Sequence, residues 1–207
     1  MDYRWLAPER ASSRVWVYLQ GAYSSLADGA AGFERIAAEA GVHLFFPQGS
    51  RVMGSGFAWS FAADAESITR VLIRECAARG LAGARVEVIG NSMGCAMALW
   101  LLRRNPGRFA AVAALGMGSA FEQWDGDDGG FPPGSLTPAS GARFLLAVDL
   151  RDPAGGPPHV AGYFAPNLAR LRAEGFAVET FRPDVGTHAV TDAMRGRVRE
   201  FLGVADA

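Results

Sequence analysis

Six short apolar runs alternate with longer segments of helical period along the chain, and this alternation restricts the fold more than any other feature. The runs span 14–20 (RVWVYLQ), 42–47 (VHLFFP), 85–90 (RVEVIG), 109–115 (FAAVAAL), 143–149 (RFLLAVD) and 177–182 (AVETFR). Their β-branched and aromatic residues suit strands buried on both faces of a sheet. Helix signals fill the intervals. Ile68, Val71, Leu72 and Cys76 share one face of a helix that Asp64 can cap and Gly80 ends. Phe33, Ile36, Ala37 and Ala40 precede Gly41, Leu168 and Leu171 precede Gly175, and Val190, Met194, Val198, Phe201 and Leu202 line a last helix. Repeated βα units of this kind predict an α/β fold, a mostly parallel sheet of about six or seven strands with helices on both faces, with 3–6 as a candidate edge strand.

A length of 207 residues fits one domain, 1–207, with a core that needs no disulfide staple or structural metal. Half of the residues are hydrophobic and 20% are charged, which excludes disordered, collagenous and coiled-coil chains. The formal charge of −1 provides no net field for a phosphate backbone or an anionic membrane, so neither is expected as a partner, and it says nothing about oligomeric state. Every basic residue is arginine; without lysine there is no Schiff base and no P-loop. Cys76 and Cys95 form no C-x-x-C pair and show no zinc spacing, and no metal or cofactor is expected. Asp2 and Arg4 interrupt the start where a signal peptide is apolar, and no run approaches the roughly 18–20 apolar residues of a membrane span. A soluble cytoplasmic protein is the expectation.

The chemistry centres on Gly90-Asn91-Ser92-Met93-Gly94, a G-x-S-x-G between a predicted strand and a predicted helix that runs from Ser92 to about Asn105-Pro106. A sharp strand-to-helix turn leaves no room for side chains two residues before and after the serine, and glycine meets that need. The turn lifts Ser92 to the carboxyl edge of the sheet, where open α/β sheets bind ligands.

A serine hydroxyl needs a base, and the base needs an orienting group. Of three histidines, His43 begins a strand at the far end of the sheet, His159 opens a helix after Pro157-Pro158, and His188 follows the last strand at the same edge as Ser92. His188 is therefore the expected base. Two carboxylates follow strand 143–149: Asp152, free in the Leu150-Arg151-Asp152-Pro153 turn, is preferred, and Asp149, at the strand end, is the alternative. The backbone N–H groups of Ala22 and Met93 are the expected oxyanion donors. Tyr23, Trp59, Met117, Phe121 and Trp124 are candidate pocket walls, with core packing as an alternative for Trp59 and Met117. Residues 118–141, dense in Gly and Pro, read as a long surface loop whose aromatics can cover a nearby pocket. The 125–129 acidic cluster reads as a solvated turn, lacking the rest of a calcium loop.

From about Arg14 to Gly203 the chain resembles the serine α/β-hydrolases of the phospholipase/carboxylesterase type and, more loosely, the polyhydroxybutyrate-depolymerase-like esterases. VWVYLQGA, FFPQGS with AWSF, RVEVIGNSMG, RFLLAVDLRDP and VGTHAV carry the resemblance. It implies an α/β-hydrolase fold without a large cap, the order Ser92, Asp152, His188, and action on small esters or thioesters. Gln20 stands where such enzymes usually carry His before Gly, and Cys95 replaces a small residue directly after the G-x-S-x-G motif, where it reads as a buried small hydrophobe. Two other uses of the same framework are an acyltransferase or cyclase, and a non-catalytic ligand-binding protein.

Overall fold

The computed structural model describes residues 1–117, 136, 142–153 and 159–204. Within them the six apolar runs become parallel strands: β2 (Arg14–Leu19), β3 (His43–Pro47), β6 (Arg85–Asn91), β7 (Phe109–Leu115), β8 (Arg143–Ala147) and β9 (Ala177–Phe181). The edge strand β1 (Tyr3–Leu6) pairs with β3 antiparallel. The order across the sheet is β1-β3-β2-β6-β7-β8-β9. Two short strands, β4 (Arg51–Met53) and β5 (Gly56–Ala58), form a separate hairpin that the apolar pattern did not mark.

Both faces of the sheet are dry because side chains alternate between two cores. Val15, Val17 and Leu19 of β2 join one cluster with Ile68 and Leu72 of α2 (Phe61–Ala78) and with Leu99 and Leu101 of α3 (Met93–Arg104). Trp16 and Tyr18 point the other way, into a cluster with Phe33 and Ile36 of α1 (Phe33–Glu39) and Val198 and Phe201 of α5 (Asp192–Leu202). Each fully buried side chain of this size contributes on the order of 1.5–3 kcal/mol. The remaining helix, α4 (His159–Ala173), adds Phe164 and Leu171 to the first cluster. The fold is the α/β-hydrolase class of doubly covered sheet, and no cap domain stands over it among the described residues.

Helix ends follow local chemistry, with one correction. Asp64 is not the cap of α2: the helix starts a turn earlier, after Ser60, and the buried Asp64 carboxylate reaches back to accept the Ser60 N–H at 2.8 Å and the Ser50 N–H at 3.0 Å. It satisfies an orphan donor from inside the first turn, as the acid of a capping box does. At the other end of α2, Gly80 is left-handed (φ 71°), the conformation a helix stop requires.

The amino end of the sheet is tied by a buried carboxylate. Glu87 on β6, with no exposure, accepts from Trp16 Nε1 at 2.9 Å, Arg85 Nε at 2.9 Å and Arg14 Nη2 at 2.8 Å, and Arg14 also donates to the Leu202 carbonyl at 2.7 Å. Two central strands and the end of α5 thus share one charge network. Removing one partner of a buried pair strands the other, and both arginines here can recover water. Glu87→Gln should therefore cost about 3 kcal/mol, the lower end of that range. Urea unfolding measures this; a loss under about 1 kcal/mol would show the network to be a surface pair in its energetics.

Candidate active site

The chain runs outward from β2 to β3 and then returns to β6 on the other side of β2, so the connections after β2 and β6 part at a topological switch point. Gly21 and Ser92 meet there. A Cβ on Gly21 would lie 3.2 Å from the Ser92 Cβ, so a side chain there would press the two loops apart by a few tenths of an ångström.

Ser92 caps α3 with φ 52° and ψ −118°, a backbone conformation that costs a non-glycine residue of order 1–3 kcal/mol. Its neighbours hold it there. The Ser92 N–H donates to the Leu115 carbonyl at 2.8 Å, and the Cys95 N–H donates to the Ser92 carbonyl at 2.9 Å. A Cβ on Gly90 would fall 2.6 Å from the Gly94 oxygen, and one on Gly94 would fall 2.1 Å from the Leu19 oxygen. The two motif glycines are thus a packing requirement. Cys95 is fully buried, its Sγ 3.4 Å from the Gly90 and Leu115 carbonyl oxygens, and burial pushes its thiol up to about 12, too high for a thiolate near neutral pH.

Beyond Ser92 the structure brings together side chains from three loops. His188 Nε2 lies 2.8 Å from Ser92 Oγ, and His188 Nδ1 lies 2.6 Å from Asp152 Oδ2. With its hydrogen on Nδ1, the imidazole donates to Asp152 and accepts from the Ser92 hydroxyl, so one tautomer satisfies both contacts. The Asp152 side chain is 1% exposed and that of His188 32%, leaving the imidazole open to solvent and its partner enclosed. Gly116, left-handed after β7, lies beneath the pair: a Cβ there would be 3.3 Å from His188 Cε1 and 3.8 Å from Asp152 Oδ2.

The other candidates lie elsewhere. His188 Nδ1 is on Asp152, and the buried Asp149 carboxylate instead accepts backbone N–H groups of Arg151, Val185 and Gly186. His43 sits at the amino end of β3, where its Nδ1 accepts from Trp5 Nε1 at 3.3 Å, and desolvation lowers its pKa. His159 opens α4, and its side chain lies outside the described residues. Trp59 and Met117 are 1% exposed within the larger core cluster, the core packing that the sequence left open for both. Tyr23 is 63% exposed, its ring facing Gly54 of the hairpin. Phe121, Trp124 and the 125–129 acidic cluster lie outside the described residues, as does nearly all of the 118–141 stretch. Among the described residues no group of three or more His, Cys, Asp or Glu is arranged to hold a metal, and no helix is long and apolar enough to cross a membrane.

Around Ala22 the chain is pinned on both sides. Trp59 Nε1 donates to the Gln20 carbonyl at 2.9 Å, Gln20 Nε2 donates to the Ser24 carbonyl at 2.8 Å, and the Phe57 N–H donates to the same Ser24 carbonyl at 2.9 Å. Tyr23 is left-handed (φ 63°), and its carbonyl packs so tightly on Gly56 that a Cβ there would be 2.1 Å away. Gln20, which departs from the histidine usual at this place in enzymes of the resembled type, bridges this loop through its side-chain amide. Among the described residues the N–H groups of Ala22 and Met93 have no hydrogen-bond acceptor, the state required of donors that wait for a ligand oxygen. The bracing hairpin escaped the sequence reading; the Gly54-Ser55-Gly56 turn was its available signal.

A serine on a tight strand-to-helix turn over a parallel sheet, with loops converging at the switch point, defines the α/β-hydrolase fold. Solved structures of that fold superpose over almost the whole chain. Esterase PE8 matches with a TM-score of 0.73, 18% identity and 98% of each chain covered. A carboxylesterase from Mesorhizobium loti matches with a TM-score of 0.72 and 18% identity over 98% of this chain and 94% of the other. Acyl-protein thioesterase 2 from Zea mays matches with a TM-score of 0.68 and 15% identity over 98% and 97%. No family model matches the sequence, and no curated protein does.

The Ala22 brace makes a separable prediction. Trp59→Phe keeps an aromatic side chain but removes the indole N–H and part of a buried ring, so the lost donor to the Gln20 carbonyl and the void left behind together should cost at least about 1–3 kcal/mol of stability. Thermal unfolding checks it; an unchanged midpoint would mean that the indole N–H does not hold the loop.

Proposed function

We propose that this chain is a serine hydrolase that cleaves a carboxylic ester or thioester of a small-molecule substrate through an acyl-serine intermediate. The observation that carries this reading is the continuous hydrogen-bonded line from Asp152 Oδ2 through the His188 imidazole to Ser92 Oγ, with contacts of 2.6 and 2.8 Å. The esterase, carboxylesterase and thioesterase among the structures of the same fold support it at the level of reaction class.

In this mechanism Ser92 Oγ attacks the acyl carbon while its proton passes to His188 Nε2. Asp152 keeps the imidazole in the required tautomer and stabilises the imidazolium that forms. The carbonyl oxygen gains charge and accepts from the Ala22 and Met93 N–H groups, donors that need no reorganisation at that moment. The bond from the acyl carbon to the leaving oxygen or sulfur then breaks, and His188 returns its proton to the leaving group. Water repeats the cycle: it gives a proton to His188, its oxygen bonds the acyl carbon, and Ser92 leaves with the proton restored. The helix α3 amino terminus behind Ser92 adds favourable potential for the developing negative charge.

Hydrolysis of p-nitrophenyl acetate, butyrate and octanoate by the wild type and Ser92→Ala tests this. Wild-type turnover should fall at least about 10³-fold in the variant, as loss of an essential nucleophile does, with the thermal midpoint unchanged. Wild-type rates in a folded Ser92→Ala protein would remove the assignment. Product formed only when an alcohol or amine is added would make the chain a transferase.

A further inference from the structure

Reading Ser92, His188 and Asp152 as a catalytic line leaves a buried carboxylate beside it without a part in the chemistry. Asp149 follows β8, has no exposure, and lies three residues before Asp152. Ionised carboxylates are rarely fully buried unless a cation or metal pairs with them. Here the partners are backbone N–H groups: Arg151 donates to Oδ1 at 2.8 Å, Val185 to Oδ2 at 3.0 Å, and Gly186 to both oxygens at 3.0 and 3.1 Å. The guanidinium of Arg151 is turned away, onto Asp184.

These donors come from the two loops that must stay in register for the site to exist. Arg151 precedes Asp152 by one residue, and Gly186 precedes His188 by two. Gly186 is left-handed (φ 80°), which aims successive N–H groups at one point, so that 185 and 186 form a nest closed on an internal anion. A parallel bond from the Leu150 N–H to the Pro183 carbonyl at 2.8 Å fixes the same pair of segments. Burial alone would push the Asp149 carboxyl up, but the surrounding N–H groups outweigh it and hold the carboxyl below its usual value, so the anion persists.

We infer that Asp149 is a positioning residue: its carboxylate locks the His188 loop to the Asp152 turn and so holds the imidazole in line with Ser92. This rests on the serine-hydrolase reading. An amide at 149 would keep one acceptor but turn a donor toward the Val185 and Gly186 N–H groups, pushing the His188 loop away from its partners.

The test compares wild type, Asp149→Asn and Val185→Pro by the rate at which a fluorophosphonate labels Ser92, and by the downfield proton resonance of the His188 Nδ1–H. Asp149→Asn, folded by circular dichroism, should label about 10- to 100-fold more slowly and lose or shift that resonance, since a displacement near 1 Å costs up to about 10²-fold. Val185→Pro deletes one donor while the carboxylate stays, covers the case in which the Asn variant does not fold, and should slow labelling in the same direction. Wild-type labelling rates and an unmoved resonance in either folded variant would overturn the inference and leave Asp149 a purely structural anchor. A wild type that neither labels nor shows the resonance would instead remove the serine-hydrolase reading, and the inference with it.

Discussion

The contact between the start of α3 and the ends of β2 and β6 is the constraint on which the rest depends. At Gly94 there are 2.1 Å between a hypothetical Cβ and the Leu19 oxygen, and at Gly90 2.6 Å to the Gly94 oxygen. Only hydrogens fit, so helix and strands close until Ser92 is forced into a left-handed backbone and raised at the sheet's carboxyl edge. The strain is held by bonds that do not involve the Ser92 side chain, from its own N–H to Leu115 and from Cys95 to its carbonyl. The hydroxyl is therefore free to face the loops.

What faces it is ordered by buried polar groups rather than by packing alone. Trp59 and the β4–β5 hairpin hold the loop that carries Ala22, while Gly116 gives the imidazole and Asp152 room. Asp149 joins the two loops that carry Asp152 and His188. At the opposite end of the sheet Glu87 ties β2, β6 and the end of α5. In the function proposed above, loops carry the reacting groups, and a rigid sheet with internal hydrogen-bond anchors supplies the precision that loops lack.

Much of this was legible in residue patterns, for physical reasons. Strands buried on both faces must be continuously apolar, so β2, β3, β6, β7, β8 and β9 stand out, and the glycines around Ser92 mark a turn that tolerates little else. The ends of the strands are less legible: Gln20 and Asp149 extend apolar runs but belong to loops, because their side chains bond loop backbone. Choosing between Asp149 and Asp152 depends on which way a four-residue turn points each carboxylate, and composition holds no record of that. The hairpin 51–58 has strands of three residues and no apolar run, and Trp59 matters through a tertiary bond to Gln20. Such partners become visible only when chain segments 39 residues apart meet.

In the proposed reaction Ser92 carries the acyl group covalently. The direct measurement is acid quenching of the wild type within milliseconds of mixing with p-nitrophenyl butyrate, followed by intact mass and peptide mapping. A butyryl adduct is expected on the peptide that contains Ser92, and it should be absent when His188 is replaced by alanine. Release of p-nitrophenol with no adduct at any quench time, or an adduct on another residue, would contradict it.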